Sequence, residues 1–125
     1  MRPLAIHHVT LAVADVEQAV DFYTRVVGLR LRTDRPATAA AGAWLDVGGQ
    51  QVHLVHADPP PDRGQHMALL VPDLDAAVHA LRAAGAVVTV PLDAARRAFL
   101  TDPSGNAIEL IAPHEEPIAA QEGEA

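Results

Sequence analysis

Four side chains in this sequence carry the donor chemistry of a divalent-metal site: His8, His53, His66 and Glu109. His8 and His66 each stand seven residues before an aspartate, Asp15 and Asp73, and the two His–Asp pairs lie 58 residues apart. His53 and Glu109 repeat at nearly the same interval, 56 residues. Imidazole nitrogen and carboxylate oxygen together suit Zn, Ni, Co, Mn or Fe(II). The chain has no cysteine, so thiolate ligands, disulfides and thiol nucleophiles are excluded. A lone strand histidine is ordinarily a polar residue on a sheet face, and a lone strand glutamate is ordinarily solvated. The same residue types at matched positions in two halves point instead to one site.

The elements that position them follow from hydrophobic periodicity. Leu4–Val13 alternates as a strand, with His8, Thr10 and Ala12 on one face and His7, Val9, Leu11 and Val13 on the other. Asp15 caps a helix over 16–27, whose apolar stripe is Val16, Ala19, Val20, Tyr23 and Val27, with Gly28 as its stop. A short strand at 29–33 follows, then a hairpin of 43–47 and 51–55 around Gly48-Gly49. After the proline-rich linker 58–64 the pattern restarts. His66–Val71 reads as a strand, Asp73 as a helix cap, Gly85 as a stop, and 86–90, 97–101 and 106–112 as three further strands. Asp102-Pro103-Ser104-Gly105-Asn106 is the turn between the last two. Each half is thus strand–helix–strand–strand–strand, the pattern of two like modules, about 4–56 and 66–112, sharing one domain over 1–112. Residues 113–125 read as a flexible acidic tail.

Parity extends the candidate site. Residues two away from the four donors are small or polar (Thr10, Gln51, Ala68, Ala107), whereas the alternate positions are Val, Leu, Ile and Met. The apolar face is expected beneath the helices, leaving His8, His53, His66 and Glu109 on the other. Trp44 and Phe99 correspond between modules and alternate away from Leu45 and Leu100, so they either wall a cavity or pack in the core. Arg97 shares parity with Phe99 and meets either solvent or an anionic substrate. Thr10 stands beside His8 as a further substrate contact. His7 points away from His8 and reads as a packed or edge residue; His56 has the wrong parity, and His79 and His114 read as solvated.

Composition bounds the partners. A formal net charge of −7 over 125 residues, with Glu115, Glu116, Glu122 and Glu124 near the end, argues against nucleic acid and anionic membrane surfaces. No apolar run approaches the roughly 18 residues of a spanning helix, and the start lacks a signal-peptide pattern, so a cytoplasmic setting is expected.

The runs His8-Val9-Thr10-Leu11-Ala12-Val13, Asp15…Phe22-Tyr23…Gly28-Leu29 and Phe99-Leu100-Thr101-Asp102-Pro103-Ser104-Gly105-Asn106…Glu109-Leu110 resemble the vicinal oxygen chelate superfamily of glyoxalases, bleomycin resistance proteins and extradiol dioxygenases. The resemblance implies an α+β fold: two βαβββ modules forming an open, cup-shaped mixed β-barrel with helices outside, around a divalent metal, commonly as a homodimer. By motif position it implies His8, His66 and Glu109 as metal ligands, with His53 where glyoxalase I has a glutamate. The activity it implies is that of a metal-dependent, glyoxalase-like lyase or isomerase. Such an enzyme acts on a small oxygenated substrate by bidentate oxygen chelation and enediolate or alkoxide stabilisation, with Glu109 also catalytic. Two alternatives are a non-catalytic small-molecule (antibiotic) binding protein and an Fe(II)-dependent extradiol-type dioxygenase.

Overall fold

Two aspartates start the two helices as their spacing predicts. Asp15 accepts a hydrogen bond from the Gln18 amide at 3.0 Å and Asp73 from the Ala76 amide at 3.0 Å. Each satisfies an otherwise orphaned helix donor, a contribution of about 1 kcal/mol. The computed structural model describes residues 1–37, 39–92 and 96–113. In chain order the elements are β1 (His8–Val13), α1 (Val16–Asp21), a π-helical segment (Phe22–Val27), β2 (Arg30–Leu31), β3 (Gly42–Val47), β4 (Gln50–His56), β5 (His66–Leu70), α2 (Leu74–Ala83), β6 (Arg97–Thr101) and β7 (Ala107–Ile111). The class is α+β as expected: two helices and two small open sheets, ordered β1-β4-β3-β2 and β5-β7-β6. The described chain divides into two compact units. One is Met1–His66 with Thr101–Ala107; the other is Met67–Leu100 with the chain from Ile108.

In the first unit β4 is central, parallel to β1 and antiparallel to β3. The register fixes the faces: Thr10 pairs with His53 and His53 with Trp44, while Leu11 pairs with Leu54 and Leu45 with Val52. Val13, Leu45, Val52, Leu54, Ala19 and Tyr23 are all buried, so the helix stripe and one sheet face make the core. Gly42 is required on β3, because a Cβ there would sit 2.3 Å from the Leu54 carbonyl oxygen.

A buried carboxylate completes this unit. Asp102 is 3% exposed and accepts from the Tyr23 hydroxyl at 2.7 Å, from the Ser104 and Asn106 amides at 2.9 Å, and from Asn106 Nδ2 at 2.9 Å. Asn106 Nδ2 also donates to the Ala12 carbonyl, and the Ser104 hydroxyl accepts from the Ala14 amide, both at 2.9 Å. The segment read as a plain turn is therefore fastened to the end of β1 and to the helix behind it.

Several element boundaries differ from the sequence expectation. β1 starts at His8 rather than Leu4, because the ladder to β4 ends where the Gln51 amide bonds the His7 carbonyl; Leu4 and Ile6 are exposed. The first helix changes from α to π at Phe22, with Gly28 at φ 96° bonding back to Tyr23. Its β-branched residues, Thr24, Val26 and Val27, are weak α formers. The strand expected at 29–33 reduces to Arg30–Leu31. The strand expected at 86–90 reduces to one bridge between Thr89 and Phe99. The Val88 carbonyl is taken by the Arg82 guanidinium at 2.8 Å, and Pro91 has no N–H to extend the ladder. In the second unit Leu74, Val78 and Leu81 of α2 are buried with Ala98, Leu100, Ile108 and Leu110. His114 and the tail beyond Pro113 lie outside the described residues.

Burial, then the Asp102 carboxylate, disfavour a phenolate, so Tyr23 is held well above the ordinary tyrosine range. The protonated hydroxyl stabilises the fold fully below pH ~10, the unfolded-state value, and this contribution declines progressively as pH rises from there toward the raised folded-state value. Tyr23 is the only tyrosine. Tyrosinate absorbance should therefore stay silent on alkaline titration until the protein unfolds, and a reversible rise near pH ~10 in the folded state would contradict this. Tyr23→Phe should lower stability by about 1–3 kcal/mol in urea unfolding, because Asp102 keeps its burial and loses a donor.

Candidate functional site

One face of the four-stranded sheet carries His8, Thr10, Trp44 and His53. Across it run two rows set by the register. Arg30, Asp46, Gln51 and His8 form one, and Trp44, His53 and Thr10 form the other, with the Arg32 amide bonded to the Trp44 carbonyl at its β2 end. His8 and Thr10 are exposed, and His53 and Trp44 are half-buried. Parity selects His8 over His7 for this face, as expected. His7 is not packed, however. It is exposed, and its Nδ1 shares a hydrogen bond with His8 Nδ1 at 2.9 Å.

His53 lies between two rings. It stacks on His8 with centroids 3.9 Å apart and planes 12° apart, and on Trp44 at 4.8 Å and 16°. Its Nε2 bonds the Gln51 side-chain oxygen at 2.8 Å; since that oxygen only accepts, Nε2 carries the proton. Burial first, then His8, His7, Arg35 and Arg32, hold the His53 imidazole below the ordinary histidine range and so neutral.

His66 is fixed differently. Its Nδ1 lies 2.8 Å from the Gly64 carbonyl, which can only accept, so Nδ1 is the donor in that bond. In the second unit Glu109 is 7% exposed, on a strand whose neighbours Ile108 and Leu110 are buried. Phe99 is half-buried and Arg97 exposed, with the guanidinium 5.7 Å from the Phe99 ring centre. Leu45 and Leu100, the expected opposites of Trp44 and Phe99, are buried. His79 is exposed, as read, and His56 at the end of β4 is exposed too.

The donor types fit a divalent ion, and a backbone carbonyl on one ring nitrogen, as at His66, is a common way to orient a histidine ligand. The stacked pair does not fit as two ligands of one ion. A metal lies in the plane of an imidazole that binds it, at about 2.0–2.1 Å from nitrogen. Two nearly parallel planes 3.9 Å apart share no such point, so His8 and His53 as arranged offer one nitrogen between them. Among the described residues no three His, Asp or Glu side chains are gathered as a metal-holding group. The candidate ligands are divided between the units, with His8, His53 and His66 in one and Glu109 in the other.

Sequence reasoning missed Gln51 as the partner of His53, and Arg30 and Arg32 on the same face. Parity with His53 is the signal for Gln51. For the arginines there is none until β2 is paired with β3.

Comparison with known proteins agrees with this arrangement of elements. The model of the Glyoxalase/Bleomycin resistance protein/Dioxygenase superfamily matches residues 5–110. A 2-epi-5-epi-valiolone epimerase of Actinomyces is 31% identical, covering 86% of this chain and 79% of the relative. A protein of Vibrio cholerae named as a probable lactoylglutathione lyase is 32% identical, with 85% and 88% covered. Among solved structures, a glyoxalase-family protein of Bacillus anthracis has a TM-score of 0.79 at 27% identity, with 91% and 100% covered. The antibiotic-binding protein TnmS3 of Streptomyces has a TM-score of 0.73 at 30% identity, with 91% and 99% covered.

Trp44 is the chain's single tryptophan, so its emission reports the ring stack directly. His53→Ala removes the ring beneath it and should raise the intensity and shift the maximum to the red. Emission unchanged in this variant would mean that the stack does not exist in solution.

Proposed function

The chain belongs to the Glyoxalase/Bleomycin resistance protein/Dioxygenase superfamily, and on that premise we propose that it is a metal-dependent lyase or isomerase acting on a small oxygenated molecule. His8, His66 and Glu109 supply the ligands in this reading, and His53 is the ring that orients His8 rather than a fourth ligand. What supports it is the superfamily match over residues 5–110, together with the 2.8 Å bond from His66 Nδ1 to the Gly64 carbonyl, which orients that ring. A divalent ion so held supplies Lewis-acid polarisation to two adjacent substrate oxygens. The chain's own residues do the rest. The His53 stack holds the His8 ring upright, the Trp44 ring bounds the face, and the Thr10 hydroxyl offers a hydrogen bond to substrate. Phe99 and Arg97 are the corresponding contacts from the second unit. The Glu109 carboxylate, when not ligating, accepts a proton from substrate carbon or oxygen. As part of this reading the protein works in the cytoplasm as a homodimer. Among the described residues β1 and β5 each pair on one side only, which supports that assembly, since an unpaired strand edge favours being covered.

A second reading has its own support. The stacked pair offers only one ligand nitrogen, and a structural relative at 30% identity is an antibiotic-binding protein. In it the same face binds a small molecule without turnover.

Metal analysis separates the two. Purified protein supplied with Zn, Ni, Mn or Fe(II) should take up about one ion per chain. His66→Ala and Glu109→Gln should each weaken uptake at least tenfold. His53→Phe, which keeps a ring in the stack and cannot ligate, should retain it. Failure of the native chain to bind any of these ions would leave only the binding-protein reading. Loss of uptake in His53→Phe would make His53 a ligand. Light scattering should give twice the 13.2 kDa chain mass.

A further inference from the structure

From the same sheet face we infer an anion-binding subsite in the first unit, built on Arg30, that takes the carboxylate or phosphate of a small molecule. A cleft of about 610 Å³ opens at the β2 side of this sheet; Arg30, Arg32, Asp46 and Gln51 line it, with Gly48 and Gly49 of the hairpin turn at its rim.

The charges in it are unequally matched. Arg32 is engaged twice, with Asp34 at 2.7 Å and Asp46 at 2.9 Å. Asp46 is also the register partner of Arg30, yet its carboxylate is spent on Arg32. Arg30 is exposed and has no ion pair among the described residues. Two arginines and two aspartates balance in charge here, but both aspartates are bonded to Arg32, so the group left over is the Arg30 guanidinium. A guanidinium presents parallel N–H donors matched to two oxygens of one carboxylate or phosphate. A neutral hydroxylated ligand would use none of that charge.

The cleft is continuous with the histidine face. Gln51 lines it and at the same time accepts from His53 Nε2. Arg30, Asp46, Gln51 and His8 lie in one row across four strands, three spacings or about 14 Å from backbone to backbone. A ligand of roughly ten ångströms would span from the arginine to the His8 ring. The assignment of its other end to the reacting position rests on the proposed function; the anion site itself does not.

The test uses the metal-free full chain at constant ionic strength, with amide NMR shifts of Gly28, Gly48 and Gly49 as the readout. Inorganic phosphate and succinate are the probes and glycerol the neutral control. The expected result is saturable shifts with at least one anion and none with glycerol. The better anion identifies the group. Arg30→Gln should weaken binding at least tenfold, and Asp46→Asn should tighten it by removing the competing carboxylate. Arg30 is exposed, so the variant keeps the fold, and the spectrum itself verifies this. Absence of shifts with both anions, equal shifts with glycerol, or unchanged affinity in Arg30→Gln overturns the subsite. Metal uptake is measured on separate samples of the native chain, so failure of the metal reading is distinguishable from failure of this one.

Discussion

The first unit depends on a buried carboxylate. An ionisable group 3% exposed is costly unless its lone pairs are met, and Asp102 has four donors within hydrogen-bond distance. Two are backbone amides of its own turn, one is the Asn106 side chain, and one is a hydroxyl 79 residues earlier in the chain. That long-range bond brings residues 101–107 into the unit formed by the first 66. The Asn106 and Ser104 side chains then bind the backbone at Ala12 and Ala14. The strand that carries His8 is therefore held at its far end by a turn from the other half of the sequence.

Such anchoring matters because β1 is an edge strand. One side of it pairs with β4, and among the described residues no strand pairs with the other. His8 and Thr10 on one face are exposed, while Val13 of the other is buried. The rings organise the exposed face. Trp44, His53 and His8 come from three neighbouring strands and stack in sequence, and Gln51 sets the tautomer of the middle one. Polar side chains left facing outward on a sheet need each other for order, and here the stack supplies it. Its cost to a metal site is that parallel rings cannot both ligate one ion.

Much of this was legible in the sequence. The echo of His8 and Asp15 in His66 and Asp73 revealed two modules, and both aspartates cap helices as expected. Period-two alternation assigned Leu45, Leu54, Leu100 and Ile108 to the buried face and His8, Trp44 and Phe99 away from it, and burial agrees. The failures have a common cause. Residues 4–6 alternate well but pair with no strand among the described residues, and 86–90 is β-rich but loses its ladder to Arg82 and Pro91. A strand is a property of a pair, and propensity is read one segment at a time.

By itself, then, the sequence determined the class, the two modules, the helix starts and the face of each strand that holds the histidines. These follow from local periodicity and capping, which act over a few residues. Only the tertiary structure decided what those residues touch. It turned a Pro-Ser-Gly turn into a buried carboxylate latch, set His53 as the centre of a ring stack, and left Arg30 unmatched while Arg32 took both nearby acids. Each of these depends on residues brought together across strands, where register and burial, rather than spacing along the chain, choose the partner.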